Sequence, residues 1–149
     1  MNVVTSTIAR ACLVAVLIAP AIVDAQQSTA PTDERAVRDV VGAYLYGLKF
    51  NTVDSLKLAF WPDAKLYFVK RDGSLGQLSQ EQWYKGFTAP VGTPEEGELR
   101  ITAVSLTRDI ATVTVVEDYA KSRYTDYLSL VRWGGVWRIV NKVYTAEPR

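Results

Sequence analysis

Four long runs of β-branched and aromatic residues occupy the second half of the chain, and they restrict its fold more than any other feature. The runs cover residues 99–107, 110–121, 124–133 and 136–144, and breaks of two residues separate them. β-Branched and aromatic side chains favour strands, and short connections join neighbouring strands in antiparallel pairs. The second half is therefore predicted to form a meander of four antiparallel strands.

A helical pattern precedes these strands. Thr32 is predicted to cap a helix of about four turns, because apolar residues behind it recur at intervals of three and four. This apolar stripe consists of Ala36, Val37, Val40, Val41, Tyr44, Leu45 and Leu48. A second, shorter helix is predicted to begin at Thr52 or Asp54 and to end where Pro62 forces the chain out of helical geometry. It includes Leu56, Ala59 and Phe60.

The order of the elements predicts the fold class. Between the helices and the meander, residues 65–70 and 74–78 have strand composition, and the turn signal at 71–73 joins them into a hairpin. Ser79 and Gln82 then have the spacing of a capping box. Helices followed by strands are typical of an α+β domain, in which the helices pack on one face of a curved antiparallel sheet.

The first 25 residues are predicted to be a signal peptide. A short stretch ending in Arg10 precedes an uncharged run at 11–23, which is shorter than the roughly 20 apolar residues of a membrane-spanning helix. Cleavage before Gln26 would leave residues 26–31 as a polar leader and 32–149 as the domain. We then expect an exported chain, periplasmic or secreted, with no membrane span after cleavage. An uncleaved anchor or a buried N-terminal helix is the alternative.

The composition excludes several kinds of function. The chain has no histidine, and its one cysteine and one methionine both precede Gln26. Catalysis by a Ser-His-Asp or Cys-His pair and zinc binding through imidazole are therefore excluded. The net charge of +1 provides no positive surface for DNA or RNA. We expect neither a metal nor a cofactor.

Motifs from most of the remaining chain point to a known fold. They are Val40-Val41-x-x-Tyr44, Phe60-Trp61-Pro62-Asp63-Ala64, Asp72-Gly73, and the segments 123–130 and 137–144. Together they resemble the nuclear transport factor 2-like superfamily, and most closely its bacterial branch labelled "putative lumazine-binding". The resemblance implies a cystatin-like cone of curved sheet around a long N-terminal helix, with a pocket at the wide end. Members often have histidine where Trp61 stands, so a mechanism that needs that imidazole does not transfer.

Aromatic side chains are the main candidates for the lining of such a pocket. Ligand sites are lined mostly by apolar and aromatic groups, but large rings also dominate cores, so most of these could instead be core residues. The candidates are Tyr44, Trp61, Tyr67, Trp83, Tyr84, Phe87, Tyr119 and Tyr127. Asn141 joins them, because alternation places it on the apolar face of Ile139, where its amide needs a partner. The same alternation predicts a solvated Lys142.

Asp118 and Asp126 are the candidates for catalysis. If the hairpin between them turns about Ser122, the two carboxylates lie directly opposite each other. Facing carboxylates in a dry cavity do not both stay ionised, so one would act as a general acid and the other as a base. Tyr44 or Tyr119 would then donate to a developing oxyanion. The alternative is an exposed charged hairpin.

Three functions remain open. The first is a small exported domain that binds an apolar or aromatic molecule, with a homodimer through the outer face of the sheet as a further option. The second is an acid/base enzyme such as an isomerase, dehydratase or cyclase, and the third is a structural or interaction module. The resemblance does not choose among them, because the superfamily also includes carriers and scaffolding domains.

Overall fold

The computed structural model describes residues 30–149, and these fold into three helices and six strands. The elements are α1 (Ala30–Lys49), α2 (Val53–Ala59), β1 (Phe60–Val69), β2 (Leu75–Ser79), α3 (Gln80–Tyr84), β3 (Glu98–Thr107), β4 (Ile110–Asp118), β5 (Ser122–Trp133) and β6 (Val136–Pro148). The predicted signal peptide, and the predicted leader up to residue 29, lie outside the described residues. Among residues 30–149, none of the three helices combines the length and the hydropathy that a membrane-spanning segment needs.

The six strands form one curved sheet in the order β2-β1-β6-β5-β4-β3. The predicted meander is confirmed, because β3, β4, β5 and β6 pair in sequence and antiparallel. The predicted hairpin of β1 and β2 is also present. Only the pairing of β1 with β6 is parallel. This pair joins the hairpin to the meander, because the chain crosses from β2 to the far edge of the sheet at β3 and then returns strand by strand until β6 lies beside β1.

The helices differ from the sequence prediction at their ends. The first begins at Ala30 and not at Thr32, so the last two residues of the predicted leader are helical. The second ends at Ala59, and Phe60, which the prediction kept in this helix, is already extended. Pro62 lies inside β1, within the irregular pairing between Phe60 and Lys65, where its missing N–H removes no regular ladder bond.

The core lies between α1 and the face of the sheet that α1 covers, here called the inner face. Val37, Val41 and Tyr44 on α1 are fully buried. They belong to one apolar cluster with strand residues that include Val113, Val115, Leu128, Leu130, Trp137 and Ile139. The predicted α+β architecture, with helices on one face of a curved sheet, is therefore confirmed.

A β-bulge in β6 reverses the alternation of its side chains. Ser129 of β5 pairs with Asn141, but the next residue pairs with Ile139, so Val140 has no partner. After such an extra residue, the side chains exchange faces. Lys142 therefore lies on the inner face and is buried, whereas Asn141 lies on the outer face. The prediction that put Asn141 beside Ile139 and left Lys142 in solvent is wrong.

Candidate functional site

Four polar side chains meet inside the core. Tyr44, Glu117, Asp126 and Lys142 come from α1, β4, β5 and β6, and each is at most 4% exposed. We call these four residues the polar cluster. Buried charges are rare unless they are paired, so a cluster of this kind needs a physical explanation.

The positions of these residues follow from the periodicity of each element. Tyr44 continues the buried helical stripe of Val37 and Val41. Glu117 and Asp126 lie on inner-face positions of their strands, because inner-face residues alternate along a strand. Lys142 reaches the inner face through the bulge at Val140. Three of the four positions therefore follow from simple alternation.

The hydroxyl of Tyr44 lies at the centre of the cluster. It donates to Asp126 Oδ2 and lies 2.7 Å from Glu117 Oε1. Lys142 Nζ donates to the Tyr44 oxygen at 2.6 Å and to Asp126 Oδ2 at 2.7 Å. The ammonium is also 4.9 Å from the centre of the Tyr144 ring, which is within the range of cation–π attraction.

A count of protons shows how the cluster is held together. Tyr44 has one proton, and when Asp126 accepts it, the contact with Glu117 requires a proton on that carboxyl. The pKa of Glu117 is raised to about 7, mainly by burial; the charge of Lys142 opposes the shift and the charge of Asp126 adds to it. With Glu117 protonated, Asp126 and Lys142 balance each other. Burial and the charge of Asp126 also raise the pKa of Tyr44 well above its usual value, so it keeps its proton.

Tyr119 connects the polar cluster to a cleft at the surface. Its hydroxyl donates to Glu117 Oε2 at 3.3 Å, and its ring forms part of the wall of this cleft. The cleft has a volume of about 600 Å³. We call it the β4–β5 cleft; it is lined by Leu48, Asn51, Gly86, Phe87, Pro94, Glu95, Glu96, Tyr119, Ala120, Lys121, Ser122 and Tyr124. Burial raises the pKa of Tyr119.

Two further tyrosines complete a layer between the cluster and solvent. The ring of Tyr124 lies 6.0 Å from that of Tyr119 and 6.3 Å from that of Tyr144. Tyr124 and Tyr144 also line a groove of about 780 Å³ beside the turn from β1 to β2. Groove and cleft lie at one end of the sheet, because β1 runs parallel to β6 and the turn from β4 to β5 is at that end.

The predicted pair of facing carboxylates does not form. Asp118 pairs with Arg123, and Asp126 pairs with Val115. The turn is closed by the Tyr119 N–H bonded to the Ser122 carbonyl, so it is centred before Ser122 and not on it. This change of register places the two carboxylates on opposite faces of the sheet.

Asp118 instead holds three arginines on the outer face. It accepts hydrogen bonds from Arg100 at 2.8 Å, Arg123 at 2.6 Å and Arg149 at 2.6 Å. The bonds from Arg123 and Arg100 lower the pKa of Asp118 to about 2. This arrangement is the charged hairpin that the sequence left as the alternative, and it fastens the C-terminal end of β6.

The aromatic candidates divide between the two faces. Trp83 packs against Tyr44, Phe60, Tyr84 and Phe87 and lies 5.6 Å from Lys142 Nζ. Phe60, Trp83 and Tyr119 thus contact members of the polar cluster directly, and Phe60 and Tyr84 also line a separate slot. Trp61, Tyr67 and Tyr127 lie on the outer face, away from it.

Sequence reasoning missed two members of the cluster. Glu117 is the fourth inner-face position of β4, after Ala111, Val113 and Val115, so its alternation with apolar residues was a readable signal. Lys142 gave no such signal, because nothing in the residue types around Val140 indicates a bulge.

Comparison with known proteins agrees with the fold. Residues 32–145 match the family described as "Putative lumazine-binding". The aldolase FrzH of Cladobotryum sp is 26% identical over 107 residues, which cover 71% of this chain and 85% of that protein.

Two solved structures show the same architecture. An NTF2-like protein of unknown function from Shewanella baltica OS155 superposes with a TM-score of 0.74 and 22% identity, covering 83% of this chain and all of that one. An NTF-2 like protein of unknown function from Silicibacter pomeroyi DSS-3 superposes with a TM-score of 0.70 and 25% identity, covering 80% of this chain and 99% of that one. The chain therefore belongs to the family described as "Putative lumazine-binding", within the nuclear transport factor 2-like superfamily.

Proposed function

We propose that this protein binds a small planar aromatic molecule in the β4–β5 cleft. The observation that carries the proposal is Tyr119, whose ring faces the cleft while its hydroxyl is held by the buried Glu117. A ring fixed in this way offers a flat apolar surface, and the polar cluster behind it keeps it in place. The family description supports a small heteroaromatic ligand, and lumazine is the natural probe.

The lining of the cleft suits such a ligand. Phe87, Tyr119 and Tyr124 supply aromatic surface, and Ser122 supplies a polar group that can fix an orientation. A volume of about 600 Å³ lies within the usual range for small-molecule sites. The apolar segment before Gln26 supports a further proposal, that binding takes place outside the cytoplasm. Mass spectrometry of the chain recovered from an exported fraction tests this proposal, and we expect the mass of a chain that begins at Gln26.

Removing the Phe87 ring is expected to weaken lumazine binding. Phe87→Ala deletes one aromatic wall, and the lost contact should raise the dissociation constant about tenfold. Isothermal titration calorimetry measures this change. Tyr127→Ala is the matched control, because it removes an aromatic ring from the outer face. Unchanged affinity in Phe87→Ala, or no saturable binding by the unaltered protein, would contradict the proposal.

A second candidate function is acid/base catalysis at the same cleft. The observation that favours it is the hydrogen bond from Tyr119 to Glu117, a carboxyl whose pKa is raised to about 7. Groups that titrate near neutral pH make effective acids and bases. In this role, a carboxylate of the cleft wall, Glu95 or Glu96, would accept the α-proton of a bound ketone, while Tyr119 would donate its proton to the developing enolate oxygen and regain one from Glu117.

Proton exchange tests this second function directly. The probe is 2-tetralone, a flat aromatic ketone, in D₂O, and NMR follows the loss of its α-protons. If the chain is an acid/base catalyst, exchange exceeds the buffer rate, and Tyr119→Phe reduces the excess by about a hundredfold or more. Lumazine affinity should persist in Tyr119→Phe, because the ring remains. Exchange at the buffer rate would rule this function out for enolisable ketones.

We also propose that the protein forms a homodimer through the outer face of its sheet. Trp133 is 75% exposed and Tyr127 59% exposed, and Trp61 and Val143 add to the same apolar surface. Contiguous apolar surface of this kind marks interaction sites. We expect light scattering to give twice the chain mass for the unaltered protein and a single chain for Tyr127→Glu. Val91→Glu is the control, since Val91 is exposed on the loop before β3. A single-chain mass for the unaltered protein would overturn this proposal.

A further inference from the structure

A row of four aromatic rings crosses the inner side of the sheet at the end where the cleft and the groove lie. Phe68 of β1, Tyr144 of β6, Tyr124 of β5 and Tyr119, directly after β4, contribute one ring each. In that order, neighbouring ring centres lie 5.1, 6.3 and 6.0 Å apart. Rings at these spacings are in contact, so the row forms a continuous aromatic floor.

This floor joins the β4–β5 cleft to the groove beside the turn from β1 to β2, which we call the β1–β2 groove. Tyr119 lines the cleft, Phe68 and Tyr144 line the groove, and Tyr124 lines both. Lys121, from the turn between β4 and β5, also lines both. The two cavities therefore adjoin, and a single molecule could extend from one into the other.

Charged side chains are segregated along the floor. Lys70 and Arg71 line the groove, Glu95 and Glu96 line the cleft, and Lys121 lies where the two meet. All three basic residues are exposed, and none of them forms a salt bridge within the described part of the chain. One end of the combined site thus has cations that are available to a ligand, and the other end is acidic.

Positive charge is in excess in the β1–β2 groove. Three of its lining residues are basic, and Glu147 is the one acid among them. Glu147 lies directly opposite Arg123 in the β5–β6 ladder, so its carboxylate already faces a cation of the outer face. In the adjacent turn, Asp72 accepts hydrogen bonds from the Ser74 N–H at 2.9 Å and from the Ser74 hydroxyl at 2.7 Å. An anion in the groove would therefore meet the three basic residues.

We propose that the cleft and the groove together bind one planar aromatic molecule that carries an anionic side chain. This inference rests on the proposed binding function and specifies the class of ligand. The aromatic ring would lie against Tyr119 in the cleft, the side chain would pass over Tyr124, and its anionic group would bind to the three basic residues of the groove. Ammonium and guanidinium groups are strong partners for phosphate and carboxylate. The two carboxylates of the cleft would repel the anion, so charge would set the orientation of the ligand.

The test compares two probes that differ by one phosphate group. Riboflavin contains the pteridine dione ring of lumazine fused to a benzene ring, and a five-carbon chain extends from it. Flavin mononucleotide has the same ring and chain with a phosphate at the end. Titrations followed by flavin fluorescence measure both affinities. We expect both probes to bind saturably, with the phosphate ester about tenfold tighter or more at low ionic strength. Added salt should reduce this preference, because it screens exposed charges.

A double substitution in the groove removes the cations and leaves the cleft intact. Lys70→Met combined with Arg71→Met should bind riboflavin as the unaltered protein does and should lose most of the preference for flavin mononucleotide. Arg35→Met combined with Lys57→Met is the matched control. It removes the same two charges at exposed positions that line neither cavity, and it should keep the preference.

The outcomes separate this inference from the proposed binding function. Equal affinity for the two flavins, with lumazine still bound, would overturn the inference alone, and so would a preference that persists in the groove variant. Phe87→Ala should weaken both flavins, because their rings lie in the cleft. If it weakens lumazine and neither flavin, the flavins bind elsewhere and the inference fails. Absence of saturable binding by lumazine and by both flavins would contradict the binding function, and the inference with it.

Discussion

Replacing Lys142 with methionine is expected to lower the free energy of unfolding by about 3–5 kcal/mol. Methionine keeps the length of the side chain but removes the only cation among the four residues of the polar cluster. Asp126, which is fully buried, then loses the ammonium 2.7 Å from its Oδ2 and keeps only the Tyr44 hydroxyl. An uncompensated charge in the core is costly because the surrounding protein solvates it poorly.

Denaturant unfolding at neutral pH measures this loss, and a second substitution identifies its cause. Asp126→Asn in the Lys142→Met background removes the orphaned charge, and we expect it to restore about half of the lost stability or more. Lys57→Met is the matched control at an exposed lysine and should change stability by about 0.5 kcal/mol at most. A loss below about 1 kcal/mol in Lys142→Met would show that the ion pair does not hold the core together.

Stability is also expected to fall as the pH rises from about 4.5 to about 7, because of Glu117. Its pKa in the folded chain, about 7, is above the ordinary value of 4.5, because burial penalises the charged form. The folded state therefore binds this proton more tightly than the unfolded state does. The favourable contribution is complete below pH 4.5 and is lost as the pH passes through 7, and the change is on the order of 3 kcal/mol.

Glu117→Gln removes this titration while keeping a side chain that can bond to Tyr44. The variant should show no fall in stability over this range and should be more stable than the unaltered chain above neutral pH. Urea denaturation at intervals between pH 5 and pH 8.5 provides the measurement. Asp118→Asn is the control, because the pKa of Asp118 is lowered to about 2 and its titration contributes only below about pH 4. A stability profile that is flat in both the unaltered chain and Glu117→Gln would contradict the raised pKa.

The pairing of strands that follow each other in the chain could be predicted because each signal for it is local, whereas the parallel pairing of β1 with β6 was not predicted. The Gly134-Gly135 break is an example: both residues have positive φ, at 58° and 79°, and glycine adopts this geometry most easily. A tight turn at this point makes β5 and β6 neighbours whatever the rest of the chain does. The capping box at Ser79 and the helical stripe through Tyr44 are local in the same sense.

The site was only partly predictable, because its geometry depends on register. Asp126 and Tyr44 were identified, and the inner-face position of Glu117 followed from alternation although the prediction overlooked it. The prediction that Asp118 and Asp126 face each other was wrong because the turn that contains Tyr119 and Ser122 is centred earlier than expected. The prediction of a solvated Lys142 was wrong because the unpaired Val140 reverses the alternation in β6.

By itself, the sequence determined the elements, their order along the chain and the apolar face of each except β6, because helix and strand periodicity depend only on neighbours along the chain. The tertiary structure alone decided which charged groups meet. A shift of one residue in a turn or a bulge moves a side chain from solvent to core, and pairing between strands distant in sequence sets that shift. The buried cluster of Tyr44, Glu117, Asp126 and Lys142 exists because both shifts occur in the same sheet.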